Sequence, residues 1–133
     1  MANAIYPIYK AALLGGLSNI DMDGGTVKAA LVDTGTYTYS AAHDFYNDVS
    51  GVVGTPQTIA STTVTGGLFD GDDVTYTAVS GNSVEAIIIY IDTGNTATSR
   101  LVAYIDTGVT GLPVTPNGGD ISISWNASGI FQL

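Results

Sequence analysis

The sequence predicts a mainly β chain: an antiparallel β-sandwich, jelly-roll or Ig-like, with one short N-terminal α-helix. Three observations predict it. From residue 26 onward apolar side chains recur with period two or in short runs rich in Val, Ile and Tyr. Turn signals (Asp-Gly, Gly-Asn, Pro-Asn-Gly-Gly) separate these runs at intervals of about 8–15 residues, as hairpin-linked strands require. Only residues 5–16 keep a helical period. The 133 residues suit one domain, 1–133, with a helical segment at 1–17 and a sandwich over 26–133. A chain of that size buries about two-thirds of its unfolded surface.

The helix is read from Ile5, Ile8, Tyr9, Ala12, Leu13 and Gly16, which share one face. Pro7 suits a first turn, and Gly15-Gly16 supplies a stop. Lys10 lies opposite the stripe, and Leu14 lies off it, free to touch something else. Two to three turns do not hold without docking. The helix therefore lies on its own sheet or on a neighbouring subunit.

Strands follow in order. Residues 27–32 form the first, with 36–39 as a short continuation after the Asp33-Thr34-Gly35 turn. Residues 41–53 show no clean period and read as loop with a short helical turn. Further strands are expected at 57–65, 67–69, 74–79, 84–91 and 101–105. In 121–125, Ile121, Ile123 and Trp125 alternate with serines, giving one wet face. Residues 130–133 close the sheet. The run 84–91 is apolar on both faces apart from Glu85, so it needs a cover, either the N-terminal helix or a partner subunit.

Charge excludes several functions. Twelve acidic residues against three basic ones give a net charge of −9, and charged residues are only 11% of the chain. Three cations (Lys10, Lys28, Arg100) cannot build a phosphate-neutralising patch, so nucleic acid is not expected as a partner. The longest apolar run, 86–91, is far short of the ~20 residues that span a bilayer, and no basic segment followed by an apolar one opens the chain. No membrane partner is expected. Without cysteine, disulfides and thiolate metal sites drop out.

Asp-Thr-Gly occurs at 33–35, 92–94 and 106–108, each after apolar residues, as in the catalytic triplet of aspartic proteases. That chemistry needs two carboxylates sharing a proton. Three copies at strand ends are also what turns produce, because Asp bonds its own backbone and Gly accepts positive φ. The turn reading is preferred, and no catalytic residue is assigned. Asp21-Met22-Asp23-Gly24 and Asp70-Gly71-Asp72-Asp73 carry calcium-type oxygen ligands but do not match an EF-hand loop. No metal or cofactor is assigned to them. His43 beside Asp44 has no identifiable nucleophile partner.

The eight tyrosines are more informative. Tyr6, Tyr9, Tyr37, Tyr39 and Tyr46 concentrate in the first third with Phe45. Aromatic residues are enriched and charge is depleted at protein interfaces. Ile5, Tyr6, Tyr9, Leu14, Tyr37, Tyr39, Phe45 and Tyr46 are therefore the candidate contact residues.

Residues 26–33 (Thr-Val-Lys-Ala-Ala-Leu-Val-Asp), 43–48 (His-Asp-Phe-Tyr-Asn-Asp), 100–108 and the closing Ile130-Phe131-Gln132-Leu133 resemble a family of small tailed-bacteriophage virion proteins. The segment 112–121, opening Leu-Pro-Val-Thr-Pro-Asn-Gly-Gly-Asp, carries the likeness most specifically. The chain is similar in this respect to capsid cement or decoration proteins. The resemblance implies a non-enzymatic protein made in the bacterial host cytoplasm and placed on the capsid surface of the virion. Its implied partners are the major capsid protein and copies of itself, as a homo-oligomer. A tail, fibre or baseplate component is the alternative placement.

Overall fold

The computed structural model describes residues 3–133. The elements run β1 (Ala4–Ile5), α1 (Pro7–Gly15), β2 (Thr26–Val32), β3 (Val52–Thr58), β4 (Thr63–Thr65), β5 (Leu68–Asp70), β6 (Val74–Tyr76), β7 (Ala86–Asp92), β8 (Arg100–Ile105), β9 (Ile121–Ile123) and β10 (Phe131–Gln132), with a 3-10 turn at 46–48. The chain is a mainly β, antiparallel sandwich with one short helix near its start, as the sequence predicts. A five-stranded sheet has the order β1-β8-β7-β2-β3. A three-stranded sheet, β10-β5-β4, and a two-stranded one, β6-β9, accompany it.

β7, apolar on both faces, is the middle strand of the large sheet, and β2 lies beside it. They pair along their whole length, from Thr26↔Asp92 to Val32↔Ala86. Opposite residues share a face, and the next row points the other way. Ala30, Ile88, Tyr104 and Ala4 make one such row, and Ala29, Ile89, Ala103 and Ile5 the next. β7 and β8 are buried nearly throughout. One apolar cluster joins β2, β7 and β8 to Phe69 of β5, Val74 and Tyr76 of β6, and Ile121 and Ile123 of β9.

The doubly dry strand β7 is thus covered mostly from within the chain. α1 contacts its neighbour β8, and Tyr46 stacks on Tyr90 of β7 at 4.2 Å. The helix alone is not the cover that the sequence suggests.

α1 keeps its expected signals. Pro7 opens it, and Gly16 closes it in the left-handed region at φ 63°. Gly16 N–H donates to Leu13 O and Leu17 N–H to Ala12 O, the paired bonds of a Schellman ending that folds Leu17 back against the helix. Tyr9 and Ala12 are its buried face.

Two expected strands differ. Residues 36–39 are not a strand, because the Asp33 carboxylate draws Gly35 N–H and Thr36 Oγ1 into a turn. The run 57–65 is broken into β3, which begins earlier at Val52, and β4. Between them Ile59 enters the core, Ser61 takes φ 54° and Asp72 N–H donates to Ala60 O. β3 lies at the sheet edge, where Pro56 costs no ladder bond. Its register against β2 shifts between Ala29 and Leu31, and there the Tyr76 hydroxyl donates to Ala29 O at 2.8 Å.

The segment 112–120 runs beside 78–84. Val84 and Val114 exchange both backbone bonds, Val79 and Gly118–Gly119 do likewise, and Ala78 N–H donates to the Asp120 carboxylate.

Candidate interaction surface

The three Asp-Thr-Gly triplets are strand-end turns. Asp33 accepts from Gly35 N–H at 2.9 Å and Asp92 from Gly94 N–H at 3.0 Å. These bonds stabilise the charged forms. Backbone N–H donation from Gly35 holds the Asp33 carboxyl below its ordinary value. Lys28, with Gly94, does so for Asp92. Asp33 follows Val32 and Asp92 pairs with Thr26, so the two lie at opposite ends of the β2–β7 pair, about 20 Å apart at ~3.3 Å per residue. Asp106 follows β8 at the same end as Asp33, but β7 lies between their strands. No two of these carboxylates are placed to share a proton.

The acidic loops are also internally bonded. Asp21 Oδ1 accepts from Asp23 and Gly24 N–H, and Asp73 Oδ1 accepts from Trp125 N–H. Among the described residues, no group of three His, Cys, Asp or Glu is arranged to hold a metal ion.

The candidate contact residues separate into two sets. Tyr6, Tyr37 and Tyr39 come together, but inside the chain. The hydroxyls of Tyr6 and Tyr37 lie 2.7 Å apart, and Tyr37 Oη lies 2.8 Å from His43 Nδ1. Tyr39 packs between Tyr6 and Tyr104, with ring centroids 5.1 and 5.5 Å away. Tyr6, Tyr9 and Tyr37 are buried, and Tyr9 donates to Ile20 O. Burial pushes the Tyr9 hydroxyl up to about 12 and drives Tyr6 further. Phe45 bridges to Arg100 at the start of β8, its ring 5.0 Å from the guanidinium. Arg100 is itself buried and donates to Ser18 O. The tyrosines that composition marks as contact residues thus serve the core, and Tyr39, Phe45 and Tyr46 are half-buried.

Leu14 and Ile5 lead to a different surface. Leu14 is 91% exposed, Leu133 59%, Leu17 54% and Val64 52%. These large exposed apolar side chains are not scattered. Ile5, Lys10, Leu13, Leu14, Gln132 and Leu133 line one hollow between α1 and β10. Tyr9, Leu13, Met22, Val64, Phe131 and Leu133 line a second, with Asp21 and Asp23 at its side. Leu13 and Leu133 belong to both, so the hollows form one patch with a leucine ridge. Leu17 lies beside it at the helix end, close to Gly15.

No family model and no curated protein matches this chain.

The patch rests on a stable frame. The stacked rings of Phe69 and Phe131, 5.3 Å apart, join β5 to β10, and Tyr9 pins α1 to the 20–23 loop. Its charges are distinctive. Lys28 is paired with Asp92 at 2.9 Å and Arg100 is buried, so Lys10 is the one exposed cation among the described residues. It sits in the first hollow, and the two aspartates sit in the second. Sequence reasoning finds Leu14 because it lies off the helical stripe. It misses Val64 and Leu133, which only the fold brings beside the helix.

Proposed function

We propose that this chain is a non-enzymatic structural protein of a tailed-bacteriophage virion, a cement or decoration protein that binds and stabilises the major capsid protein lattice on the capsid surface. The observation that carries the reading is the clustering of Leu14, Val64 and Leu133 in one patch on a charge-poor chain. Contiguous exposed apolar surface marks an interaction site. The resemblance at 26–33, 43–48, 100–108, 112–121 and 130–133 supports a phage virion as the assembly. The turn roles of Asp33 and Asp92 support a non-enzymatic reading.

Such a protein works by binding energy alone. It binds the assembled lattice and not the free subunits, so it shifts the shell toward the assembled state by mass action. Many copies on symmetry-related sites add their contributions. A gel of purified virions tests the placement: copy numbers comparable to the major capsid protein support cement, and a few tens of copies or fewer assign the chain to tail, fibre or baseplate. Virions with and without the protein are then heated, and equal capsid melting temperatures would overturn the stabilising role.

A further inference from the structure

We infer that the patch between α1 and the β10-β5-β4 sheet is filled by a second copy of this chain, docked about a two-fold axis. This rests on the reading of the chain as a subunit of an assembly. The charge pattern selects the occupant. In a chain of net charge −9, the one exposed cation among the described residues, Lys10, lies in the first hollow, and Asp21 and Asp23 lie in the second. The Leu13–Leu133 ridge separates them. A two-fold operation lays a surface on its own reversed image. Each Lys10 hollow then meets the acidic hollow of the other copy, twice, while the ridges and Leu14 are buried between them. A wholly acidic patch would repel its copy, and a wholly apolar one would set no register. The remaining turn acids, among them Asp72, Asp73 and Asp120, do not line the patch.

The purified full chain is studied by sedimentation velocity over a wide concentration range. A species with the mass of two chains is expected. Leu14→Glu yields monomer with an unchanged far-ultraviolet circular dichroism spectrum, since Leu14 is exposed and supports little of the fold. Lys10→Glu and Asp23→Lys each weaken the dimer by about tenfold, through loss of two rim pairs and creation of like-charge contacts. Mixing the two single variants restores association. The carboxylate introduced at position 10 of one copy then faces the ammonium introduced at position 23 of the other, and the native pair stands opposite. A monomer at every concentration, a trimer, a dimer indifferent to Leu14→Glu, or a mixture no tighter than its components would each overturn the proposal. The virion gel fails separately: a solution dimer absent from virions refutes the capsid reading alone, and a monomer abundant on virions refutes this one alone.

Discussion

The Tyr6 hydroxyl lies 2.7 Å from that of Tyr37, and both rings are buried. Tyr37 is the middle of a chain that continues to His43 Nδ1 at 2.8 Å. Replacing the middle member strands the fully buried Tyr6 hydroxyl and takes a partner from His43. Tyr37→Phe is expected to cost about 2 kcal/mol, because a buried polar group left without a partner costs more than a net hydrogen bond contributes. Tyr6→Phe removes an end of the chain and costs about 1 kcal/mol. The double variant costs less than the sum, as members of one network couple. Urea unfolding followed by Trp125 fluorescence measures all three, and strict additivity would show that the hydroxyls do not act together.

Burial raises the hydroxyls of Tyr6, Tyr9, Tyr37, Tyr46, Tyr76, Tyr90 and Tyr104 above the ordinary tyrosine value of about 10. A raised folded value contributes stability that is complete below the unfolded value and is lost as pH rises beyond it. Stability should hold to about pH 10 and then fall steeply. Tyrosinate absorbance should rise in two stages, the larger one coinciding with loss of the folded circular dichroism signal. A single smooth titration of all eight tyrosines in the folded protein would contradict the buried network.

The acid side follows from turn carboxylates. Lys28 first, then Gly94 N–H, hold the Asp92 carboxyl low, and backbone N–H donors do the same for Asp21, Asp33 and Asp48. Lowered folded values contribute stability present above the unfolded value, about 4, and lost as pH falls through the folded ones. Acid unfolding is therefore expected below about pH 4. Asp92→Asn should lower stability at neutral pH by up to about 1 kcal/mol and flatten the loss below pH 4. Thermal melts at a series of pH values check both.

Gly111 has φ 112°, and a Cβ there would meet Ser122 O at 2.5 Å and Ile123 Cδ1 at 2.9 Å. Gly111→Ala combines backbone strain with a clash against β9, and should cost about 3 kcal/mol. Gly66 provides the contrast, with φ 60° and open space around it. Gly66→Ala should cost about 1 kcal/mol, from strain alone. Comparing their midpoints in urea separates strain from crowding.

The central strands are legible in the sequence because β2, β7 and β8 combine apolar runs with β-branched residues and need both faces dry. The helix is legible because Pro7 and Gly16 punctuate a clear stripe. The break between β3 and β4 is not, since it depends on Ile59 turning into a core that the linear pattern does not locate. Tyrosine content signals amphipathic contact but cannot say where each hydroxyl goes. Tyr6, Tyr9 and Tyr37 find partners inside the chain, whereas Leu14, Leu133 and Val64 meet only through long-range packing.

β1 pairs with β8, and the Asn3 side chain bonds the backbone of Asp106 and Thr107. Contacts spanning 104 residues close a large loop and are among the last to become favourable as a chain folds. During synthesis, the helix therefore has no sheet edge to anchor it until most of the polypeptide has emerged. The leucine patch needs that anchor on one side and Leu133 on the other, so it takes shape only after β8 and β10 have joined their sheets. A chain cut short before Leu133 lacks the ridge that the two hollows share.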